Sequence, residues 1–266
     1  MLVGYNLKDR LKNFFNTPLI IPLMITLIFF IPLYGTMMIG NTGNAVTVPV
    51  ESFTFVKVEK TLILENCEED CEVASYGVTA SGVVLAHFTD DKTYILTAGH
   101  VCESVDMIPP DIFYTFQKQG ETILVEPVIE IFDYSGISHT AKVHAISMHN
   151  DLCLMDADDV WTDGVYLADA MPIRGERVFN AAAPSGMYSP NNVLIFEGFY
   201  TGYDRSNDYY FTVPARPGSS GSPILDQNGD LIGVIHSASR TFENVGISSG
   251  LDDISYFLLE SGLVIP

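Results

Sequence analysis

Basic residues are scarce in this chain. Its 266 residues include 13 Lys and Arg against 33 Asp and Glu, which gives a formal net charge of −20 at pH 7. A surface this acidic repels phosphate groups, so the composition argues against a nucleic-acid-binding protein. The chain also lacks Gly-X-Y, heptad and longer repeats, which excludes collagen-like, coiled-coil and repeat architectures. Hydrophobic residues make up 47% of the sequence, too large a share for a disordered protein.

Charge is absent from a long interval near the N-terminus, where no charged residue stands between Lys12 and Glu51. Within this interval, residues 17–39 form an apolar run as long as the roughly 20 residues that a membrane-spanning helix requires. Bases precede this run and none follows closely, which predicts a cytoplasmic segment over 1–16 and an extracytoplasmic remainder. The sequence therefore predicts a single-pass signal-anchor.

The same apolar run has two other interpretations. A cleaved signal peptide would make the protein secreted, although Gly43-Asn44-Ala45 is only a weak cleavage site. A buried helix of a soluble protein is disfavoured by three prolines, which a membrane span tolerates. Export is expected with either an anchor or a cleaved signal.

Cysteine is also rare, with four residues at Cys67, Cys71, Cys102 and Cys153. They suit an oxidising compartment without proving disulfides. Cys67 and Cys71 flank a short acidic stretch and are spaced to close a small ring. No further His or Cys with ligand spacing lies nearby, so no metal site is predicted. Cys153 lies in an apolar run and is interpreted as a buried small hydrophobe.

Short β-type segments make up most of the remaining chain. Residues 40–66 resemble a linker followed by a first extended arm. Later apolar or alternating runs, separated by turn residues, predict strands at 82–88, 93–97, 122–125, 128–132, 141–146, 152–155, 192–200, 209–213 and 231–236. Helical patterns are scarce, and the best covers 252–260. The sequence therefore predicts an all-β fold with two packed antiparallel barrels.

A loop of small residues carries a candidate nucleophile. Its sequence is Arg216-Pro217-Gly218-Ser219-Ser220-Gly221-Ser222-Pro223. Glycines permit backbone angles that let consecutive N–H groups converge on a developing oxyanion, as acyl transfer requires. Loops of Gly, Ser and Pro are common, however, and by itself this one is equally well an ordinary turn.

A histidine and an aspartate each adjoin an apolar strand. His100 follows Thr93-Tyr94-Ile95-Leu96-Thr97-Ala98-Gly99, and an imidazole there can take a proton from a serine hydroxyl at neutral pH. Asp151 opens the strand that continues Leu152-Cys153-Leu154, so its partly buried carboxylate needs a partner such as an imidazole. Alone, each has a plainer interpretation as a structural histidine and a strand-start turn residue.

Taken together, the three segments resemble the trypsin-like (chymotrypsin-fold) serine peptidases. The resemblance rests on Thr97-Ala98-Gly99-His100, Asp151-Leu152-Cys153-Leu154 and Gly218-Ser219-Ser220-Gly221-Ser222-Pro223, in the order His, Asp, Ser. It extends over 82–239 and is closest to the bacterial and viral branch with the high-temperature-requirement proteases and glutamyl endopeptidases. An α/β-hydrolase would place serine first and require Gly-x-Ser-x-Gly around the nucleophile, whereas Ser222 occupies the last position of that motif in the Ser220 loop.

The resemblance implies roles for individual residues. Ser220 would be the nucleophile, His100 the general base and acid, and Asp151 the residue that orients the imidazole. The main-chain N–H groups of Gly218 and Ser220 would form the oxyanion hole. No metal or organic cofactor is implied.

The resemblance also implies a domain plan and a function. The peptidase domain would cover 67–266, as two six-stranded chymotrypsin-like barrels over about 67–165 and 166–266. The expected function is a membrane-anchored serine endopeptidase acting on protein or peptide substrates outside the cytoplasm. The alternative is a catalytically silent module of the same fold that acts as an envelope or virion surface binding protein.

Several positions depart from the family pattern or leave alternatives open. Ser219 stands where digestive members carry an Asp that pairs with a newly released N-terminus, so activation through that ion pair is not expected. Relatives usually bridge a cysteine near Cys102 to the preceding strand region, for which Cys71 is a candidate, although four cysteines permit three pairings.

The primary specificity pocket would be walled by Pro214, Ala215, His236 and Ala238. No Asp stands near Pro214, which disfavours cleavage after Lys or Arg. His236 resembles the histidine that recognises Glu or Gln in some relatives, but it lies one residue later in its strand, and one residue of slip reverses the face of a side chain. A structural hydrogen bond is therefore the other interpretation of His236.

Overall fold

A computed structural model of the chain describes residues 47–64, 72–86, 92–103, 123–160, 162–239, 241–242 and 244–263. The predicted membrane segment over 17–39, with Cys67 and Cys71, lies outside these residues. Among the residues described, no helix is both long and apolar enough to cross a bilayer.

Six antiparallel strands close the first barrel, in the order β1-β2-β3-β6-β5-β4. Their bounds are β1 Phe53–Leu64, β2 Glu72–Leu85, β3 Thr93–Ala98, β4 Ile123–Phe132, β5 Ser138–Ser147 and β6 Leu152–Ala157. A 3-10 turn at Val50–Ser52 precedes β1, and a single helical turn, α1 (Gly99–Cys102), follows β3. The barrel therefore begins at Phe53, inside the stretch predicted as linker and arm, because β1 pairs with both β2 and β4.

Six further antiparallel strands close the second barrel, in the order β10-β11-β12-β9-β8-β7. Their bounds are β7 Arg177–Ala182, β8 Leu194–Tyr203, β9 Tyr209–Phe211, β10 Pro223–Leu225, β11 Leu231–Ala238 and β12 Gly246–Gly250, with a 3-10 turn at Pro184–Gly186. The helix α2 (Leu251–Glu260) follows β12. The predicted all-β fold of two closed, chymotrypsin-like barrels is confirmed.

The helix α2 forms where the best helical pattern of the sequence lies. Its buried side chains are spaced three or four residues apart on one face: Leu251, Ile254, Phe257 and Leu258. Asp252 and Asp253 lie in its first turn, where negative charge is favoured by the helix dipole. The buried face joins the apolar cluster between the barrels.

Two strands of the first barrel are buried on both faces. On β3, Ile95 belongs to the cluster inside the barrel, whereas Leu96 belongs to the cluster shared with α2 and the second barrel. On β6, Cys153 belongs to the cluster inside the barrel and Leu154 to the cluster shared with α2 and the second barrel. Successive side chains of a strand point to opposite faces, so double-sided burial explains why both segments are continuous apolar runs. Each strand thus has one face inside the first barrel and the other face packed toward the second barrel.

The disulfide of the first barrel differs from the sequence-based expectation. Cys102 is bonded to Cys153, not to Cys71. The cause is strand pairing, because Thr97 lies opposite Cys153 in the β3–β6 ladder and α1 brings Cys102 back over β6. Cys153 is fully buried, as expected of a small hydrophobe, but it is also a disulfide partner.

Candidate active site

His100 lies in α1, two residues after the end of β3. Its main-chain N–H donates to Asp151 Oδ1 over 2.8 Å, and its ring Nδ1 lies 2.9 Å from Asp151 Oδ2. Gly99 permits this approach, since a Cβ there would lie 2.9 Å from the Leu152 nitrogen and 3.0 Å from Asp151 Oδ1. Residue 99 must therefore be small for His100 to reach the start of β6.

Asp151 directly precedes β6 in a left-handed main-chain conformation, with a φ of 47°. This conformation is uncommon for a residue with a side chain. Burial raises the pKa of the Asp151 carboxyl, but hydrogen bonds from His100 and the charges of His100 and His236 hold that pKa below its usual value. The carboxyl is therefore ionised at neutral pH and faces an imidazole.

Ser220 lies in the loop between β9 and β10, which we call the nucleophile loop (residues 212–222). Its Oγ lies 3.0 Å from His100 Nε2. The loop packs directly on the first barrel, because the Ser81 N–H on β2 donates to the Ser220 carbonyl over 2.8 Å. Gly221 has a φ of 83°, and a Cβ there would lie 2.0 Å from Thr97 Oγ1. The nucleophile loop thus requires glycine at 221 both for its φ and for space.

A carboxylate, an imidazole and a hydroxyl therefore form one continuous series of contacts across two barrels. The structure brings together His100, Asp151 and Ser220, which the sequence separates widely. In such a series the imidazole can take the hydroxyl proton as the oxygen attacks an electrophile, while the carboxylate stabilises the imidazolium. The arrangement suits acyl transfer through a covalent intermediate.

The two amides expected to bind an oxyanion belong to Gly218 and Ser220. Within the part of the chain that the structure describes, neither amide hydrogen-bonds to a protein acceptor. Gly218 has a φ of 94°, and a Cβ there would lie 2.5 Å from the Ala183 carbonyl oxygen. Two main-chain donors beside the Ser220 hydroxyl are thus unused by the described structure, as an oxyanion site requires.

The four predicted pocket residues separate into two groups. Pro214, Ala215 and Ala238 lie in the nucleophile loop and at the end of β11, where Ala215 is buried and the other two are half-buried. His236 instead contacts carboxylates, with Nδ1 3.9 Å from Asp151 Oδ2 and Nε2 3.4 Å from Asp208 Oδ1.

His236 lies at a break in the pairing of β11 with β12. Ile235 pairs with Ser248 and Ser237 pairs with Ile247, so His236 falls between two successive pairs. His236 is 14% exposed and lies beside the carboxylate that His100 also contacts.

A small cavity of about 170 Å³ adjoins Asp151 and His236. Its lining includes Asp208 from the β8–β9 connection, Ser249 from β12 and Asp253 from α2. Sequence reasoning missed these residues, because they come from separate elements and no local pattern marks them. Among the described residues, no group of three or more His, Cys, Asp or Glu side chains is arranged to hold a metal ion.

Sequence reasoning also missed Ser81. This residue is fully buried on β2 and reaches the nucleophile loop with both its N–H and its hydroxyl. The available signal was the Ser81-Gly82 pair inside an apolar strand, since small residues there mark close approach of another backbone.

Comparison with protein families gives a match to the trypsin-like peptidase domain over residues 80–234. The matched segment contains His100, Asp151 and Ser220, and it covers more than half of the chain.

Solved structures show the same fold. A serine endoprotease from Yersinia pestis aligns with a TM-score of 0.57 and 17% identity over 81% of this chain and 65% of that one. The Rv3671c protease from M. tuberculosis in its active form aligns with a TM-score of 0.55 and 16% identity, over 84% of this chain and 86% of that one. The chain thus spans less than two thirds of the Yersinia pestis protein, and at these identities the likeness concerns the fold.

Proposed function

The chain belongs to the trypsin-like peptidase family of serine endopeptidases, and from that premise we propose that it hydrolyses peptide bonds of protein substrates through Ser220, His100 and Asp151. The observation that carries this proposal is the series of contacts from Asp151 Oδ2 to His100 Nδ1 at 2.9 Å and from His100 Nε2 to Ser220 Oγ at 3.0 Å. Each distance is within hydrogen-bonding range.

In the acylation step, Ser220 Oγ attacks the carbonyl carbon of the scissile bond and its proton passes to His100 Nε2. The electron pair of the carbonyl bond moves onto oxygen, and the amides of Gly218 and Ser220 stabilise the resulting oxyanion. When the tetrahedral intermediate collapses, the C–N bond breaks and His100 gives its proton to the leaving amine. Ser220 then carries the acyl group as an ester.

In the deacylation step, water attacks the ester while His100 takes one of its protons. The C–O bond to Ser220 breaks, and the same proton returns from His100 to Ser220 Oγ. Throughout both steps Asp151 keeps Nδ1 protonated and stabilises the imidazolium. The low pKa of Asp151 supports this role, because the carboxylate stays charged at neutral pH.

For substrate preference, we propose a pocket walled by Pro214, Ala215 and Ala238 that does not select Lys or Arg. No acidic residue stands near Pro214 in the sequence to pair with a basic side chain. The contacts of His236 with Asp151 and Asp208 favour its structural interpretation over a role in recognition.

We further propose that residues 17–39 anchor the protein in a membrane, with the peptidase domain outside the cytoplasm. The uncharged run behind Lys8, Arg10 and Lys12 supports this topology. The Cys102–Cys153 disulfide is consistent with an oxidising compartment. After alkaline carbonate extraction of membranes, the full chain should stay in the pellet at its uncleaved mass. Release of a shorter chain that begins near Ala45 would instead indicate a signal peptide.

The activity itself is tested with the full chain and its Ser220→Ala variant, profiled against a mixed peptide library. The parent should cleave the library and react with a fluorophosphonate probe, whereas Ser220→Ala should do neither. If the folded parent cuts nothing and takes up no probe, the endopeptidase proposal is wrong and a non-catalytic binding module becomes the better interpretation.

A further inference from the structure

The carbonyls of the nucleophile loop from Pro217 to Ser220 all accept hydrogen bonds. In that order their donors are Ser185 N–H at 2.6 Å, Ser81 Oγ–H at 2.8 Å, Ser222 N–H at 3.0 Å and Ser81 N–H at 2.8 Å. The amides of Gly218 and Ser220, by contrast, have no acceptor among the described residues. Hydrogen bonds to these four carbonyls thus fix the loop. The amides of Gly218 and Ser220 face away from the side on which the carbonyls are hydrogen-bonded.

Each of these two amides shares a peptide group with one held carbonyl. In a trans peptide the C=O and N–H point in opposite directions, so the group that holds the carbonyl also sets the direction of the amide. The direction of the Ser220 N–H is fixed from within the loop, because the Ser222 N–H donates to the Ser219 carbonyl. The direction of the Gly218 N–H is fixed from outside the loop, because the Ser185 N–H donates to the Pro217 carbonyl.

Ser185 lies in the turn Pro184–Gly186 that follows β7, and it has a left-handed conformation with φ 55° and ψ 26°. The side chain is exposed, so burial does not impose this conformation. The turn itself is closed by a bond from the Gly186 N–H to the Ala183 carbonyl at 3.1 Å. A left-handed residue costs free energy, and its persistence needs support from its surroundings.

Two contacts tie this turn to the rest of the site. The Ala183 N–H donates to Ser81 Oγ over 3.0 Å, and the same hydroxyl donates to the Gly218 carbonyl. A Cβ at Gly218 would lie 3.0 Å from the Ser185 nitrogen, so the turn and the nucleophile loop are in direct backbone contact. Ser81 on the first barrel therefore connects both segments of the second.

We propose that Ser185 is a positioning residue of the oxyanion site: its left-handed turn holds the Pro217 carbonyl and thereby directs the Gly218 N–H at the substrate carbonyl. This inference rests on the proposed endopeptidase function. Ser219, the residue before the nucleophile, is uncharged, so no ion pair at that position orients the loop. A neutral hydrogen-bonded turn supplies the orientation instead.

The test uses substitutions that keep the main-chain donor but change the cost of its conformation. Val at 185 disfavours a φ of 55° because it is β-branched, whereas Gly tolerates this φ. Asp159→Val is the matched control, since Asp159 is exposed, has a φ of 61° and lies outside the site. Thermal unfolding of each full-length variant verifies that it folds.

The readout compares hydrolysis of a peptide ester with that of its thionoester, in which sulfur replaces the carbonyl oxygen. Sulfur accepts hydrogen bonds poorly, so thionoester hydrolysis gains little from oxyanion donors. Loss of one such donor lowers kcat by about 10²–10³-fold in well-studied enzymes, and a misdirected donor should cost about tenfold or more. For Ser185→Val we expect that fall in kcat on the ester, little change in KM, and a much smaller fall on the thionoester.

Ser185→Gly should be about tenfold more active on the ester than Ser185→Val, and Asp159→Val should keep the ester-to-thionoester ratio of the parent. An equal fall on both substrates would mean a general structural effect and would overturn the inference, as would unchanged ester hydrolysis by Ser185→Val. Both results leave the endopeptidase function intact. A folded parent that hydrolyses neither substrate overturns the function and this inference together.

Discussion

Both carboxylate oxygens of Asp151 contact His100, and the main-chain conformation of Asp151 makes this possible. One carboxylate oxygen accepts from the His100 main-chain N–H and the other lies against the ring nitrogen. The left-handed φ of 47° turns the chain at the start of β6, so the side chain faces α1. The carboxylate therefore positions both the backbone and the ring of His100.

Asp151→Asn should abolish most of the activity without preventing substrate binding. An amide cannot stabilise the imidazolium and favours the wrong tautomer of His100, which lowers kcat by about 10⁴-fold in the best-studied triad. We expect a fall in kcat of that order with KM changed little, measured by steady-state kinetics on a peptide substrate. Asp158→Asn, an exposed neighbour, is the control; similar kinetics in both variants would contradict the role of Asp151.

The lowered pKa of Asp151 links its ionisation to stability in acid. A carboxyl whose pKa is lower in the folded state stabilises the protein fully above its unfolded pKa of about 4, and this contribution is lost as the pH falls through the folded pKa. Between about pH 5 and pH 2 the free energy of unfolding should therefore fall more steeply in the parent than in Asp151→Asn. Denaturant unfolding at several pH values measures the pH dependence of the free energy of unfolding in both proteins. Equal slopes would contradict the lowered pKa of Asp151.

His236 affects the site through Asp151, because its ring lies between the Asp151 and Asp208 carboxylates. Replacement by Gln removes one of the groups that hold the pKa of Asp151 below its usual value. We therefore expect His236→Gln to change the pH dependence of kcat while leaving the preferred residue before the scissile bond as in the parent. Profiling both proteins on a peptide library tests this. A selective loss of cleavage after Glu or Gln would show instead that His236 is a pocket residue.

At the scale of elements, the sequence predicts the strands that are apolar or alternating and misses those that are not. β3 and β6 are continuous apolar runs because they are buried on both faces. β12 has the sequence Gly-Ile-Ser-Ser-Gly and β10 has only three residues, so neither carries a periodic pattern. β7 begins with Arg177 and ends with small alanines. These three strands are specified by pairing with their neighbours in the barrel.

The contact between the nucleophile loop and the first barrel can be tested at Gly221. A Cβ at this position would lie 2.0 Å from Thr97 Oγ1 and 2.1 Å from the Ser81 carbonyl oxygen, at a φ of 83°. Gly221→Ala should therefore destabilise the protein by about 3 kcal/mol or more and remove activity.

Gly175→Ala is the matched control, because Gly175 has a φ of 90° but, apart from its chain neighbours, no atom of the described residues lies within 4 Å of its added Cβ. It should cost only the conformational penalty of about 1–2 kcal/mol and keep most of the activity. Denaturant unfolding and peptide hydrolysis measure both variants. Equal destabilisation by the two substitutions would mean that φ alone matters at Gly221, and that the contact with the first barrel contributes little.

At the scale of the whole molecule, the candidate site lies where the two barrels meet. The first barrel supplies His100 and Asp151, and the second supplies Ser220. The sequence predicts this assembly through the order and local setting of the three residues. It does not predict Ser81, Asp208 or Ser185, because their contacts join segments that are distant along the chain and their residue types are ordinary in loops and strands.

The Cys102–Cys153 disulfide links the two segments that carry His100 and Asp151, since each cysteine lies two residues after one of them. The bonded residues are 51 positions apart, and closing a loop of that length in the unfolded chain corresponds to about 4 kcal/mol in a simple entropy model.

Replacing both cysteines by Ala should therefore lower the free energy of unfolding by about 2–4 kcal/mol. A reductant should destabilise the parent similarly and destabilise this double variant far less, as measured by denaturant unfolding. A Cys67→Ala/Cys71→Ala variant keeps the described disulfide and should retain the sensitivity to reductant. Equal stability of the parent and the Cys102→Ala/Cys153→Ala variant would contradict a structural role for this bond.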